Sequence, residues 1–298
     1  MGEPSTGEYV IVADLVGTLA YRCNIREAET NPELKARIKT IEKEIIGRFK
    51  ELVKSAVTIR VVDAEDLASK IFEAAKKIDP NPYIVALDRS YFPKTMHMDP
   101  TTEYGSYKIV AHYNKPNLES QADEIVRDLS RPSLLRGSRD TGIILVDVGI
   151  ASGATMREVI QMLEQRKVKI SEIVVGVISP ELKPFMQFMG YKVTTVEPVN
   201  WSTWVDSRDI FLVDGRQIPK WSGIGGVETK FVPFTDDVEK VSGSSIRDDK
   251  KGALTALCFE ARTRLLSTLK DFGIDTSRID TPFTSRLVDA KVRRMKSF

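Results

Sequence analysis

The stretch from residue 142 to residue 166 constrains the fold of this chain more than any other. The apolar run 143–146 is followed by Asp147, by a turn rich in Gly, Ser and Thr at 149–155, and by a helical pattern that continues to residue 166. An apolar run that ends before a turn and a helix is typical of a buried strand in a parallel sheet. The sequence therefore predicts a strand that presents the Asp147 carboxylate at its C-terminal end, beside the start of a helix.

The residue types in this turn favour a phosphorylated sugar as a ligand. Backbone amides at the N-terminus of a helix bind phosphate-sized anions, and the hydroxyls of Ser152 and Thr155 can add two donors. The Asp147 carboxylate can accept hydrogen bonds from neighbouring sugar hydroxyls. Together these groups predict a ribose 5-phosphate site. The alternative is an ordinary strand, turn and helix in which Ser152 is a plain N-cap.

Strands and helices alternate through the middle of the chain, with strand patterns at 83–87, 143–146, 172–178 and 191–196. This alternation predicts an α/β fold with a doubly wound parallel sheet, whose ligands bind at the C-terminal ends of the strands. Helical patterns at 32–54, 63–78 and 254–272 predict N- and C-terminal helical additions to this core. Pro80 and Pro82 interrupt the pattern, so we expect an N-terminal segment at 1–79, a core at 80–226 and a C-terminal extension at 227–298.

The residues at this turn resemble a known motif. Asp147 with Ala151-Ser152-Gly153-Ala154-Thr155 resembles the motif that binds 5-phosphoribosyl 1-pyrophosphate (PRPP) in type I phosphoribosyltransferases. The single acid at this spacing is most similar to the form found in uracil phosphoribosyltransferases. The resemblance extends over residues 83–219. It implies an enzyme that transfers ribose 5-phosphate from PRPP to a nucleobase, a pyrimidine such as uracil, and releases pyrophosphate.

The resemblance also implies which residues bind PRPP. Asp147 would hold the ribose hydroxyls, and Arg89 would neutralise the leaving pyrophosphate, so that both are expected catalytic residues. The full set of expected PRPP-binding residues is Asp147, Ala151, Ser152, Gly153, Ala154, Thr155, Arg89 and Ser90. A surface salt bridge is the alternative for Arg89. The segments 99–103 and 113–116 resemble a mobile hairpin that closes over the site, with Met98 where the family usually has arginine.

Nucleobase recognition is expected in a later segment. By resemblance, the base would be bound by Phe211, Leu212, Val213, Asp214 and Gly215, with Asp214 offering an acid to the complex of Mg²⁺ with PRPP. Mg²⁺ is the expected cofactor and would lie mainly on phosphate oxygens and waters. Trp201, Trp204 and Trp221 flank this segment, and core or subunit packing is the alternative to base stacking for them.

Composition excludes several classes of partner. The net charge of +2 over 298 residues gives no field for nucleic acid, and no apolar run is long enough to cross a bilayer. Two cysteines and two histidines form neither a disulfide framework nor a zinc site, which favours a reduced cytoplasmic setting. We therefore expect small-molecule substrates, no nucleic acid and no membrane. The N-terminal helices would pack on the core or form a subunit interface, as in a homo-oligomer.

Two other functions remain open. A protein with the same fold could bind PRPP or a nucleotide for regulation without catalysis, because Met98 and the lack of a Gly-rich loop after Arg89 depart from the family pattern. The string 14–19 also resembles the first motif of haloacid dehalogenase phosphatases, with Asp14 as nucleophile. Val16 stands where that chemistry needs a second acid, which makes this the less complete resemblance.

Overall fold

The computed structural model describes residues 8–53, 58–102, 109–111, 116–130, 142–150, 153–178, 182–197, 201–213 and 248–279. The strands in these ranges are β1 (Glu8–Ala13), β2 (Ile59–Asp63), β3 (Tyr83–Ala86), β4 (Met96–His97), β5 (Pro100–Thr102), β6 (Ile109–Ala111), β7 (Ile143–Ile150), β8 (Ile170–Ile178), β9 (Val193–Thr195) and β10 (Trp201–Asp206). The helices are α1 (Leu15–Gly17), α2 (Glu27–Thr30), α3 (Pro32–Lys50), α4 (Ala64–Ile78), α5 (Leu118–Ser130), α6 (Ala154–Gln165), α7 (Leu182–Phe188), α8 (Ser207–Ile210) and α9 (Lys251–Asp271).

Parallel pairing builds two sheets, with strand orders β10-β1-β2 and β4-β3-β7-β8-β9. The predicted α/β class with a parallel sheet is therefore confirmed. The strands β5 and β6 form a separate antiparallel hairpin, in which Thr101 pairs with Val110. The first strand lies in the segment 99–103, for which the resemblance implies a hairpin; residues 113–115 of the other segment lie outside the described residues.

The chain folds into two compact units. Unit 1 comprises Met1–Ala64 and Trp201–Phe298, and unit 2 comprises Glu65–Asn200. This division differs from the three consecutive segments expected at 1–79, 80–226 and 227–298. The reason is that β1 pairs in parallel with β10, so the two ends of the chain share one sheet. Unit 2 is thus an insertion between strands of unit 1.

Unit 1 has a sheet and a helical layer of its own, so its two segments are not the separate N- and C-terminal helical additions that the sequence predicts. Asn31 begins α3 as predicted, because its Oδ1 accepts hydrogen bonds from the N–H groups of Glu33 and Leu34 at 3.1 and 3.2 Å. The apolar face of α3 packs against α9 and contributes to one buried core. The α3 members of this core are Leu34, Ile38, Ile41, Ile45, Ile46 and Phe49.

Unit 2 is built around β7, which is buried on both faces. Ile143 and Leu145 pack with residues of α5 and α6, and the alternate residues Ile144 and Val146 are buried on the opposite face. The strand order reverses at β3, because the chain proceeds from β3 to β4 on one side and later to β7 on the other. In open parallel sheets, a reversal of this kind leaves a crevice at the C-terminal ends of the strands.

Candidate functional site

The reversal of strand order at β3 places two of the predicted site residues at one edge of the unit 2 sheet. Ala86 is the register partner of Val146, and the Leu87 N–H donates to the Val146 carbonyl at 3.1 Å. The chain therefore leaves β3 at the level of Asp147, and Arg89 follows within the same connection. Two motifs that are far apart in the sequence thus follow neighbouring strands at the edge where open α/β sheets bind ligands.

Asp147 lies within β7 rather than at its end. The strand continues to Ile150, so the predicted strand end at Asp147 is wrong. It continues because Val148 and Ile150 are buried and because β7 keeps pairing with β8 through Gly149. The Asp147 side chain is half-buried, and its Oδ1 accepts a hydrogen bond from the Val148 N–H at 2.7 Å. Asp147 consequently lies on the part of β7 that extends beyond β3.

A left-handed glycine leads into the helix that follows β7. Gly153 has φ of +71°, and a Cβ added there would lie 2.9 Å from Leu182 Cδ2. The helix α6 begins directly after it with Ala154 and Thr155, both half-buried, and has no acidic residue in its first turn. Its positive end is therefore not neutralised by its own first turn, which suits an anion. Ala151 and Ser152 lie outside the described residues.

Gly176 on β8 sets the fit of the β7 backbone beside Asp147. A methyl group added there would collide with the Val148 carbonyl oxygen and would lie 2.7 Å from Leu67 Cδ2. Because a backbone oxygen can give way only if β7 shifts, we expect Gly176→Ala to lower the free energy of unfolding by about 1–3 kcal/mol. Urea unfolding measures this. The control Gly252→Ala adds a methyl in open space on α9 and should not destabilise; equal losses would contradict the prediction.

Arg89 is held by a buried acid. Its Nε lies 3.3 Å from Asp99 Oδ2, and the two side chains are 32% and 4% exposed. The salt-bridge alternative is therefore realised, with a buried partner instead of a surface one. The Arg89 side chain is therefore anchored through its buried Nε, while part of the side chain stays exposed. Ser90 is buried beside it, with its N–H donating to Asp88 Oδ1 at 2.8 Å.

Asp99 was not among the predicted site residues. It lies two residues after β4, a two-residue strand that is not among the strands predicted from the sequence. The backbone here is fixed, because the Met98 N–H donates to the Ala86 carbonyl at 2.9 Å and the Asp99 N–H donates to Gln121 Oε1 at 2.8 Å. Among the described residues, neither Asp99 Oδ1 nor Arg89 Nε has a hydrogen-bond partner, although both atoms are buried. The available signal was its place as the first acid of the segment 99–103, which resembles the hairpin that closes over the site.

His97 lies on β4 near the same pair of charges. Its Nε2–H donates to the Phe92 carbonyl at 2.8 Å. Burial, and after it the positive charge of Arg89, lowers the pKa of His97 below its ordinary value of 6.5. The imidazole is therefore neutral at pH 7, and the guanidinium of Arg89 is the positive charge of this cluster.

The predicted base-binding residues lie in unit 1. Phe211, Leu212 and Val213 are buried there in the hydrophobic core. All three of their N–H groups donate to carbonyl groups of α8, which closes the C-terminal turn of that helix. These donors are thus used within the fold, and binding of a base by this segment stays a prediction. Asp214 and Gly215 lie outside the described residues.

A buried ionic network lies at the C-terminal end of β1. Asp14 is 2% exposed, and its Oδ2 lies 3.0 Å from Nε of Arg208. Its Oδ1 accepts hydrogen bonds from the Arg208 N–H at 3.1 Å and from the Ser207 hydroxyl at 3.0 Å. Arg208 Nη2 also lies 3.3 Å from Asp206 Oδ2. A nucleophilic carboxylate must be accessible to its substrate, so these contacts do not support the phosphatase alternative for Asp14.

Glu42 of α3 completes this network. Its Oε1 accepts a hydrogen bond from the Leu15 N–H at 2.9 Å and contacts the Ser207 hydroxyl. Burial raises the pKa of Glu42 to about 7, opposed by these two hydrogen bonds and supported by the nearby charge of Asp14. Neither Glu42 nor Arg208 is among the functional residues predicted from the sequence, although both are buried in this network. The available signal was the capping box from Asp206 to Asp209, which marks a helix start directly after β10.

The described residues offer little for binding a metal ion by protein groups alone. In the part of the chain that the structure describes, no group of three His, Cys, Asp or Glu side chains is arranged to hold a metal ion. The resemblance implies Mg²⁺ bound with PRPP, which needs only one or two protein carboxylates besides phosphate oxygens and waters. The unpartnered Asp99 Oδ1 fits that requirement. Within the described ranges, no helix combines the length and apolar character of a membrane span.

Comparison with known proteins does not identify a family for this chain. No family model and no curated protein matches the sequence. The crystal structure of TT1426 from Thermus thermophilus is similar to 60% of this chain, with 17% sequence identity. The match covers 93% of that chain with a TM-score of 0.23, a value at which the likeness supports no conclusion about fold or function.

Proposed function

We propose that this protein is a magnesium-dependent phosphoribosyltransferase that transfers ribose 5-phosphate from PRPP to a nucleobase, a pyrimidine such as uracil. The observation that carries the proposal is the reversal of strand order at β3, where β3 ends beside β7 at the level of Asp147. The half-buried Asp147 lies at this edge, α6 begins there after the left-handed Gly153, and Arg89 follows β3. A carboxylate, a helix N-terminus and a guanidinium match a sugar, a phosphate and a pyrophosphate respectively.

In this reaction, the bond from C1 of the ribose to the pyrophosphate oxygen breaks, and its electron pair leaves with pyrophosphate. A ring nitrogen of the base forms the new bond to C1 and releases its proton to water. Positive charge develops on the sugar, which the Asp147 carboxylate would stabilise while Arg89 neutralises the leaving group. Mg²⁺, carried by PRPP, would offset the negative charge of the pyrophosphate. The protein's contribution is mainly to position and to balance charge.

The experiment is to incubate the protein with PRPP, Mg²⁺ and each nucleobase in turn, and to measure released pyrophosphate. We expect release with one base, and we expect Asp147→Asn to reduce kcat/KM at least tenfold, on the order of 1.4 kcal/mol. Asp123→Asn is a matched control, since Asp123 is exposed on α5 and pairs with Arg166. Unchanged kinetics in Asp147→Asn would exclude Asp147 from the site.

A second candidate is a regulatory protein that binds PRPP or a nucleotide without catalysis. The ion pair from Arg89 to the buried Asp99 favours it, because a guanidinium that is already paired is less able to neutralise a leaving group. PRPP binding by titration calorimetry, with no release of pyrophosphate against any base, would support this candidate. Release with any base would exclude it.

We also propose a cytoplasmic homo-oligomer that acts on small molecules. Cys23 and Cys258 are both buried thiols, as expected in a reducing compartment. Phe188 and Met189 are 87% and 54% exposed at the end of α7, and such exposed apolar side chains favour a protein interface. Sedimentation of the purified chain as a monomer at all concentrations would contradict the oligomer.

A further inference from the structure

We propose that Asp99 is the protein's ligand for the magnesium ion of a magnesium–pyrophosphate complex, and that Asp99 with Arg89 forms a subsite for that complex rather than for metal-free pyrophosphate. The inference rests on the proposed function and names the form of the leaving group that its site accepts. It concerns two residues of unit 2 that lie where the chain leaves β3 and β4.

One carboxylate oxygen of Asp99 has no partner among the described residues. Asp99 is 4% exposed, and its Oδ1 has no hydrogen-bond partner among the described residues. Buried polar atoms are nearly always satisfied, so an exception points to a group that completes the site. A carboxylate oxygen can accept a proton donor or bind a cation, and the other oxygen of Asp99 already faces Arg89.

The charges of Arg89 and Asp99 also favour a magnesium complex over the free anion. Arg89 and Asp99 together carry no net charge, so a metal-free pyrophosphate approaching Arg89 would meet the buried carboxylate as well. Like charges at close range in a partly buried site repel strongly. Magnesium–pyrophosphate brings an oxygen for the guanidinium and a cation for the carboxylate at the same time. Mg²⁺ is commonly bound through one or two carboxylates plus substrate phosphates.

The backbone at Asp99 is held in place near the end of β3. Asp99 is fixed by its N–H bond to Gln121, and the neighbouring Met98 is bonded to Ala86 at the end of β3. The Arg89 side chain is 32% exposed beside it, although its Nε atom is buried. A partly exposed Arg89 side chain therefore pairs with an acid whose backbone is hydrogen-bonded at the end of β3, the strand that neighbours β7.

Titration calorimetry with pyrophosphate tests the proposal, once with Mg²⁺ and once with EDTA. In the wild-type protein we expect pyrophosphate to bind at least about tenfold more tightly with Mg²⁺. Asp99→Asn should abolish this preference while leaving metal-free binding unchanged or tighter. Asp123→Asn, on the exposed face of α5, should keep the preference. Arg89→Gln should weaken binding in both conditions.

Two results would overturn the proposal: an unchanged magnesium preference in Asp99→Asn, or an equal loss in both conditions, which would make Asp99 only a positioning residue for Arg89. If Asp99→Asn does not fold, the wild-type protein with ¹³C-labelled aspartate carboxyls can be loaded with Mn²⁺ and pyrophosphate. Pulsed EPR is then expected to show coupling to an aspartate carboxyl carbon, and its absence overturns the proposal.

Failure of the proposed function would look different. A normal magnesium preference that depends on Asp99, with no pyrophosphate release from PRPP against any base, would leave the subsite standing and remove the transferase. Release from PRPP that continues in Asp99→Asn, together with an unchanged preference, would leave the transferase standing and remove the subsite.

Discussion

Replacing Arg208 with methionine is expected to lower the free energy of unfolding of unit 1 by about 3–5 kcal/mol, because it leaves buried carboxylates without a counter-charge. Arg208 is 1% exposed and lies between Asp14 and Asp206, at 3.0 and 3.3 Å from their oxygens. Methionine keeps much of the side-chain volume, so the loss reports charge more than packing. Urea unfolding followed by circular dichroism measures it.

A matched control separates this network from ordinary ion pairs. Arg48→Met removes a guanidinium that pairs with Glu260 on the surface, and a much smaller change is expected. The double variant Asp14→Asn with Arg208→Met should be less destabilised than the sum of the single variants, since one unpaired charge is removed. Equal losses for Arg208→Met and Arg48→Met would show that the buried network does not stabilise the fold.

Glu42→Gln is expected to stabilise the protein at neutral pH but not at acidic pH. Burial raises the pKa of Glu42 from 4.5 to about 7, so the folded state retains a proton that the unfolded state has lost. Because the folded state binds more protons than the unfolded state between these two pKa values, the free energy of unfolding falls as pH rises from 4.5 to 7. The full penalty, about 3 kcal/mol, is present above pH 7. Glutamine mimics the protonated carboxyl and avoids this penalty.

The measurement is the difference in free energy of unfolding between variant and wild type at several pH values. For Glu42→Gln this difference should rise through the window from pH 4.5 to 7 and then stay constant. Glu51→Gln changes an exposed side chain just after α3 and serves as the surface control. A pH-independent difference for Glu42→Gln would show that its carboxyl titrates normally in the folded protein.

Local patterns predicted the helices and the buried strands well. Asn31-Pro32 defines the start of α3, and the apolar run 143–146 defines the centre of unit 2, because capping and burial leave signals within a few residues. The pairing of β1 with β10 leaves no such signal. The resemblance places residues 201–206 beside a ligand-recognition segment, and the strand there is absent from the sequence prediction.

The candidate site was predicted only where its residues are close together in the sequence. The motif around Asp147 is continuous in sequence, and the pairing of β3 with β7 places it at one sheet edge with the connection that carries Arg89. Asp99 and Arg208 could not be assigned roles, because the burial of a charged side chain depends on partners from other segments. Hydrophobic periodicity treats such residues as surface positions, although both are almost completely buried.

The insertion of unit 2 between strands of unit 1 has a consequence for synthesis on the ribosome. Chains grow from the N-terminus, and domains tend to fold as units while they emerge. All residues of unit 2 are made before Trp201, the first residue of β10. Until β10 emerges, β1 lacks a neighbour on one edge and Asp14 lacks Arg208, so a nascent chain halted at residue 200 should carry a protease-resistant second unit and a protease-sensitive N-terminus.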